Sequence, residues 1–142
     1  MSFREKSSWI TLLALSTVSW SYFSLLWAQS NGLRALASPN LPDLIHYTVS
    51  FIVLLVVLHI VSATLSPKDI NEAPDERERL IEVKASHFAG LALGVFVVFG
   101  LVQFLVSPFD QGNLLFYTIM VGLIVSQLVE SFLIIFYHRR GL

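Results

Sequence analysis

The sequence predicts an all-α integral membrane protein, a four-helix bundle formed by one domain of 142 residues. Two observations lead to this fold class. Hydrophobic residues make up 55% of the chain and charged residues only 13%, against about 25% charged residues in typical soluble domains. The chain also contains four apolar runs, each close to the roughly 20 residues that a helix needs to cross the hydrocarbon core of a bilayer. Barrel strands would be shorter and alternating, so helices are expected.

The four spans are expected at about residues 9–28, 44–65, 85–106 and 113–137. All five prolines fall between these runs, where helices are expected to end. Residues 66–84 connect the second span to the third and form the most polar segment of the chain. Residues 1–142 are therefore expected to form two helical hairpins joined by a polar loop.

Lysine and arginine residues predict the orientation of the spans. Of the nine in the chain, only Arg34 lies between the spans of one hairpin. The others precede the first span, lie between the second and third spans or follow the fourth span: Arg4, Lys6, Lys68, Arg77, Arg79, Lys84, Arg139 and Arg140. The positive-inside rule places this side in the cytoplasm. Both termini and the loop 66–84 are then expected to be cytoplasmic.

The second helix of each hairpin begins with a similar sequence. Ser38-Pro39 precedes Leu44-Ile45-His46-Tyr47-Thr48, and Ser107-Pro108 precedes Leu114-Leu115-Phe116-Tyr117-Thr118. This similarity predicts a parallel duplication of the hairpin about an axis along the membrane normal. Chance matching between apolar segments is the equal alternative.

The segment before the third span carries the signals of a helix start. Pro74 suits the first turn of a helix, and acidic residues are favoured at a helix N-terminus. We therefore expect the third helix to begin near Asp75 and to project a charged turn or two into the cytoplasm. Its charged side chains are candidates for docking a cytoplasmic or membrane protein partner, or form only a solvated helix start: Asp75, Glu76, Arg77, Arg79 and Glu82.

Three short segments carry a resemblance to a protein family. They are Asp75-Glu76-Arg77-Glu78-Arg79-Leu80-Ile81, the opening residues 1–7 and the closing residues 137–141. Together they resemble an uncharacterised family of small bacterial four-helix membrane proteins with a D-E-R motif before the third helix. The resemblance covers the ends and the second half of the chain best. It implies a four-helix protein of the bacterial inner membrane, suggests a link to transcriptional regulators and implies no activity.

Glu130 is the only acidic residue well inside an expected span, and an ionisable group there is a functional-site hypothesis by default. His59 lies at a similar depth in the second span and is the partner that we expect. Such a pair would serve as a proton relay or ligand site in a small oligomeric transporter or channel, or would only fix helix packing. The neighbouring polar and small residues of the fourth helix are Thr118, Gly122, Ser126 and Gln127.

The third span carries Ser86, Gly90 and Gly94, a small-residue stripe with the GxxxG spacing that lets two helices approach closely. We expect this stripe to pack against the fourth helix of the same chain. A homo-oligomeric contact is the alternative.

Histidines raise one further alternative, a single b-type haem held between His59 and His87. No cysteine is present, and the chain has no nucleophile elbow, phosphate-binding loop or metalloprotease motif. The net charge of −1 gives no basic field for nucleic acid. We therefore expect no enzyme, no metal site and no nucleic-acid partner. The favoured function is a regulatory or accessory membrane protein that acts through helix contacts and its charged cytoplasmic loop.

Overall fold

The computed structural model describes residues 3–30, 36–65, 75–106 and 111–140. Four helices account for nearly all of this part of the chain: α1 (Phe3–Gln29), α2 (Leu41–Leu65), α3 (Glu76–Val106) and α4 (Gln111–Arg140). Each helix is long and apolar enough to cross a membrane. The prediction of an all-α protein with four such helices is confirmed, whereas residues 66–74 of the predicted loop lie outside the described residues.

Capping interactions explain where two of the helices begin. The Asn40 side-chain oxygen accepts a hydrogen bond from the backbone N–H of Asp43 at 2.8 Å, and the Asn40 amide donates to the Asp43 carboxylate at 2.6 Å. The first of these bonds caps α2 by satisfying the backbone N–H of Asp43, and the second holds the Asp43 side chain against the cap. At α3, the Arg79 N–H donates to the backbone oxygen of Asp75 at 3.1 Å. The third helix therefore begins next to Asp75, as its sequence predicts.

The helices are connected by three packing contacts. Helix α1 packs against α2 and against α4, and α4 packs most extensively against α3. Among the described residues, the backbones of α2 and α3 make no contact that would close the ring. The arrangement is therefore an open one, with α1 and α4 in the middle and α2 and α3 at its two edges.

This arrangement lacks the symmetry that a parallel duplication predicts. An axis that exchanged the two hairpins would pair α3 with α2 in the way that α1 pairs with α4. The described residues show the α1–α4 contact and no α2–α3 contact. The hairpins therefore occupy unequal places, and the sequence similarity at the starts of α2 and α4 has no counterpart in the packing.

A small apolar cluster lies where α1 and α4 meet. Leu15 of α1 and Tyr117, Met120 and Ile124 of α4 are all buried. Leu44, Tyr47 and Phe51 of α2 are only partly buried and reach this cluster from one side. Large apolar side chains elsewhere point outward, and Trp20 and Leu105 are about four-fifths exposed, at 80% and 81%. Most of the apolar surface of the described helices therefore lies outside the protein interior.

Small residues allow α3 and α4 to approach closely. A side chain added at Gly122 would place its Cβ atom 2.5 Å from the Cβ atom of Phe96, and one added at Gly100 would lie 3.2 Å from Leu115. Ala85 and Ala89 are buried on the same face of α3. Small residues at these positions leave room for the larger side chains of the opposite helix, so the two helices gain extensive van der Waals contact.

We predict that Gly122→Ala will destabilise the fold, because its new methyl group cannot fit unless Phe96 moves. Overpacking of this kind costs about 1–3 kcal/mol of the free energy of unfolding. The measurement is reversible unfolding in mixed micelles, followed by circular dichroism. Gly90→Ala is the matched control, because its added Cβ meets nothing within 4 Å. Equal stability of the two variants would contradict the observed α3–α4 crossing.

Candidate functional site

The two ends of the helices carry different kinds of polar contact. We call the end that carries the start of α1, the end of α2, the start of α3 and the end of α4 the termini end. The other, the turn end, carries the connections within the two hairpins. The described polar contacts at the termini end are mostly ionic, whereas those at the turn end involve hydroxyl, amide and carbonyl groups.

Contacts of carboxylate groups with Arg139 and His138 connect three helices at the termini end. The Arg139 Nε donates to a carboxylate oxygen of Glu5 at 3.3 Å, which joins α4 to α1. The Arg139 guanidinium also lies 5.6 Å from the centre of the Trp9 ring. His138 approaches Glu78 of α3 at 3.6 Å. Glu5 is buried although Arg139 is exposed, so the carboxylate is held inside while its partner reaches the surface.

The docking candidates predicted from sequence lie beside these contacts. Asp75, Glu76, Arg77 and Arg79 are exposed, and Glu82 is half-buried. The first turns of α3 thus present charges of both signs at the termini end. A partner that approaches this end can therefore reach them.

The expected pair of Glu130 and His59 does not form. His59 Nε2 lies 2.8 Å from the Ser7 hydroxyl of α1, and its Nδ1 lies 2.9 Å from the backbone oxygen of Leu55. Both ring nitrogens are therefore engaged by groups of α1 and α2. The backbones of α2 and α4 do not meet among the described residues, since α1 is the neighbour of both. The sequence predicted a similar depth for the two side chains but did not determine whether their helices are neighbours.

Glu130 instead contacts its own helix. A carboxylate oxygen accepts a hydrogen bond from the Gln127 amide at 3.1 Å. Ser126 faces α3, where its hydroxyl donates to the backbone oxygen of Ala89 at 2.9 Å. Thr118 donates to the Gln103 side chain of α3 at 3.0 Å. The polar residues expected around Glu130 thus lie on two surfaces of α4. Gln127 lies beside Glu130, whereas Ser126 and Thr118 form hydrogen bonds with α3.

The geometry also gives no place for a haem between His59 and His87. These residues lie on α2 and α3, the two edge helices, whose backbones make no contact among the described residues. His87 is exposed and packs edge-on against its neighbour Phe88, with ring centres 5.9 Å apart. No group of three or more residues that could hold a metal ion occurs among the described residues.

The small-residue stripe of α3 faces away from α4. Ser86, Gly90 and Gly94 are exposed, and a Cβ atom added at either glycine would meet nothing within 4 Å. The expectation that this stripe packs inside the chain is therefore wrong. Helix α3 uses Ala85 and Ala89, one residue earlier in each turn, to contact α4. Because the two sets are adjacent in sequence, their spacing alone could not show which one faces the neighbouring helix.

A cleft that the sequence did not predict lies between α1 and α2 at the turn end. Its volume is about 610 Å³. The rings of Tyr22 and Tyr47 lie in its wall with centres 5.1 Å apart. Val18, Leu25 and Ala28 add apolar surface, and the remaining lining residues carry hydroxyl or ionisable groups: Thr17, Ser21, Ser24, Asp43, His46 and Ser50. The sequence signal was the set of hydroxyls in the first span together with Asp43 and His46, but only the pairing of α1 with α2 brings them together.

Comparison with known proteins gave no match among protein-family models, curated proteins or solved structures. The geometry of the described residues is therefore the basis for the functional interpretation.

We predict that Ser7 and His59 are energetically coupled. A double-mutant cycle of Ser7→Ala and His59→Phe should give a coupling free energy of about 0.5–1.5 kcal/mol in unfolding experiments, because each single change breaks the same hydrogen bond. Ser24→Ala is the control partner, since the Ser24 hydroxyl bonds to its own helix at Ser21. Additive effects for both pairs would show that the α1–α2 hydrogen bond contributes nothing.

Proposed function

We propose that this protein is a regulatory or accessory protein of the bacterial inner membrane that acts by binding another membrane-spanning helix along the outward face of α3. The termini end lies in the cytoplasm, where the charged start of α3 takes part in the same contact. The observation that carries the proposal is the exposed stripe of Ser86, Gly90 and Gly94, which no residue of the described chain covers.

Two features support the membrane location and its orientation. The described helices expose many large apolar side chains, a surface that water would not tolerate but hydrocarbon would. Every Lys and Arg on these helices lies at the termini end. The positive-inside rule then favours a cytoplasmic location for this end and for both termini.

Packing in lipid explains why an uncovered small-residue stripe favours a partner helix. Lipid chains are as apolar as the helix surface, so helices associate in a bilayer mainly through close packing and interhelical hydrogen bonds. Gly90 and Gly94 leave a shallow groove in α3 whose floor is backbone. Val95 and Leu91 rise beside this groove and are 68% and 54% exposed. A second helix can pack against the floor of such a groove more closely than a lipid chain can.

The charged start of α3 extends this contact beyond the bilayer. Arg79 lies two turns before Ser86 on the same face of the helix and is exposed. Glu82 is half-buried beside it. A partner helix seated on Gly90 and Gly94 would continue past both charges, so charge complementarity there would select among partners that share the small-residue groove.

The expected topology can be tested with single cysteines, because the native chain contains none. Cysteine at Arg140 or Arg79 should react with a membrane-impermeant maleimide only after the inner membrane is opened. Cysteine at Ser38 should react in intact spheroplasts, because residues 36–40 lie at the turn end. Labelling of positions 38 and 140 from the same side would contradict the proposed orientation.

The α3 contact can be tested with a photo-crosslinking residue at Val83, one turn before His87 on the outward face, in native membranes. We expect a discrete protein adduct whose yield falls at least several-fold in Gly94→Ile, because the new side chain blocks the groove. Gly112→Ile is the matched control, since Gly112 is also a glycine with nothing within 4 Å of an added Cβ but lies on α4. The mass of the adduct distinguishes a second copy of this chain from a different protein.

Charge reversal gives the second arm of this experiment. Arg79→Glu combined with Glu82→Lys should lower the same adduct if the charged start of α3 contributes to recognition. Adducts that form with lipid alone, or a protein adduct unchanged by both Gly94→Ile and the charge reversal, would contradict the proposed function.

A further inference from the structure

The geometry of the α1–α2 cleft points to a second binding site, for a phospholipid whose headgroup carries a primary ammonium. The site lies at the turn end, on the opposite side of the molecule from the outward face of α3. It rests on the proposed membrane location but not on the proposed contact of α3.

The charge of the cleft determines the class of headgroup. Among the described residues, Asp43 is the only acidic residue in its lining, and no Lys or Arg reaches it. One Asp43 carboxylate oxygen is held by the Asn40 amide at 2.6 Å, which fixes the side chain at the first turn of α2. A carboxylate only accepts hydrogen bonds, so its remaining capacity suits a group that donates them. A primary ammonium supplies both the positive charge and three N–H donors.

Aromatic rings and hydroxyl oxygens complete the acceptor set. Tyr22 and Tyr47 lie in the wall at 56° to each other, and aromatic faces attract cations. The Ser24 hydroxyl donates its proton to the Ser21 backbone oxygen, so its own oxygen remains an acceptor. This hydroxyl therefore offers an oxygen atom rather than a proton to a ligand, which favours a primary ammonium over a quaternary amine.

The depth of the cleft favours a lipid over a soluble amine. Asp43 lies at the turn end of α2, and Ser50 lies seven residues further, about 10 Å deeper at 1.5 Å per residue. On α1 the lining runs from Ala28 down to Thr17, about 16 Å. That distance matches one leaflet of the hydrocarbon core, which is about 15 Å thick. The ionisable groups, Asp43 and His46, lie at the shallow end, where the headgroup of an amphiphile would be placed.

Access to the cleft follows from the packing of α2. This helix contacts only α1 among the helix backbones described, and every described residue that lines the cleft belongs to α1 or α2. Ser21, Ser24 and His46 are exposed. A lipid can therefore enter sideways from the bilayer. His46, one turn after Asp43, lies where the phosphate of a bound headgroup would be expected, and its ring N–H would donate to it.

The test uses the full-length protein, purified in detergent and mixed with phosphatidylethanolamine, phosphatidylcholine and phosphatidylglycerol of identical acyl chains. Native mass spectrometry measures the lipid retained by each protein molecule. We expect phosphatidylethanolamine to be retained about tenfold more tightly than the other two, the effect of one charge-assisted hydrogen bond. Asp43→Asn should reduce this preference to about onefold, because the amide keeps an acceptor for Asn40 but loses the charge.

Two further variants, one inside the cleft and one outside it, show whether the retained lipid is bound in the cleft. Ser21→Phe should abolish retention of the lipid by filling the cleft, without touching the cap of α2. Glu130→Gln is the matched control, since it removes another partly buried carboxylate outside the cleft and should leave the preference unchanged. The series is repeated in Arg34→Gln, which removes the basic residue nearest in sequence to the start of α2, so that the ligand rather than this side chain is measured.

Three results would overturn the proposal. They are equal retention of the three lipids, an unchanged preference in Asp43→Asn, and displacement of the lipid by an equal concentration of glycerophosphoethanolamine, which lacks the acyl chains. Gly94→Ile should retain the lipid normally, so failure of this site and failure of the α3 contact are separate outcomes.

Discussion

The packing of α1 against α4 is the contact on which the whole arrangement depends, because among the described residues it is the only helix-backbone contact between the two hairpins. Side-chain contacts hold the hairpins together at three levels. At the termini end, Arg139 binds Glu5. In the middle, Leu15 packs into the cluster formed by α4. At the turn end, the Tyr117 hydroxyl donates to the backbone oxygen of Ala37, just before α2, at 2.9 Å. The polar contacts at both ends fix how α1 and α4 are placed along each other, which apolar packing alone would not determine.

The same contact determines which surfaces remain uncovered. Helices α1 and α4 each have a hairpin neighbour on one side and each other on the second side, so α2 and α3 are left at the edges. Helix α3 then exposes its glycine stripe, and α2 leaves an open cleft against α1. Both candidate surfaces follow from one open arrangement, although they lie at its two opposite edges and suit different partners. One suits a helix and the other an amphiphile.

Polar side chains inside the apolar helices are satisfied in two ways. Some bond back to their own helix, as Thr17 does to Leu13 and Thr48 to Leu44. Others join neighbouring helices, as Ser7 does with His59 and Ser126 with the Ala89 backbone. In a low-dielectric surrounding, an interhelical hydrogen bond fixes the partner and the register of a helix that apolar packing would leave free to slide.

Composition and run length determined four helices of spanning length, and the residues around Pro74 and Asp75 determined where α3 begins, because these are local properties of the chain. The distribution of Lys and Arg predicted one charged end. Only the tertiary structure decided which helices are neighbours. It separated Glu130 from His59, removed the site between His59 and His87, and turned Gly90 and Gly94 outward. Apolar helices all look alike around their circumference, so their periodicity does not state which face meets which neighbour. That choice depends on close packing at particular positions, such as Gly122 of α4 against Phe96 of α3, which are separated in the sequence.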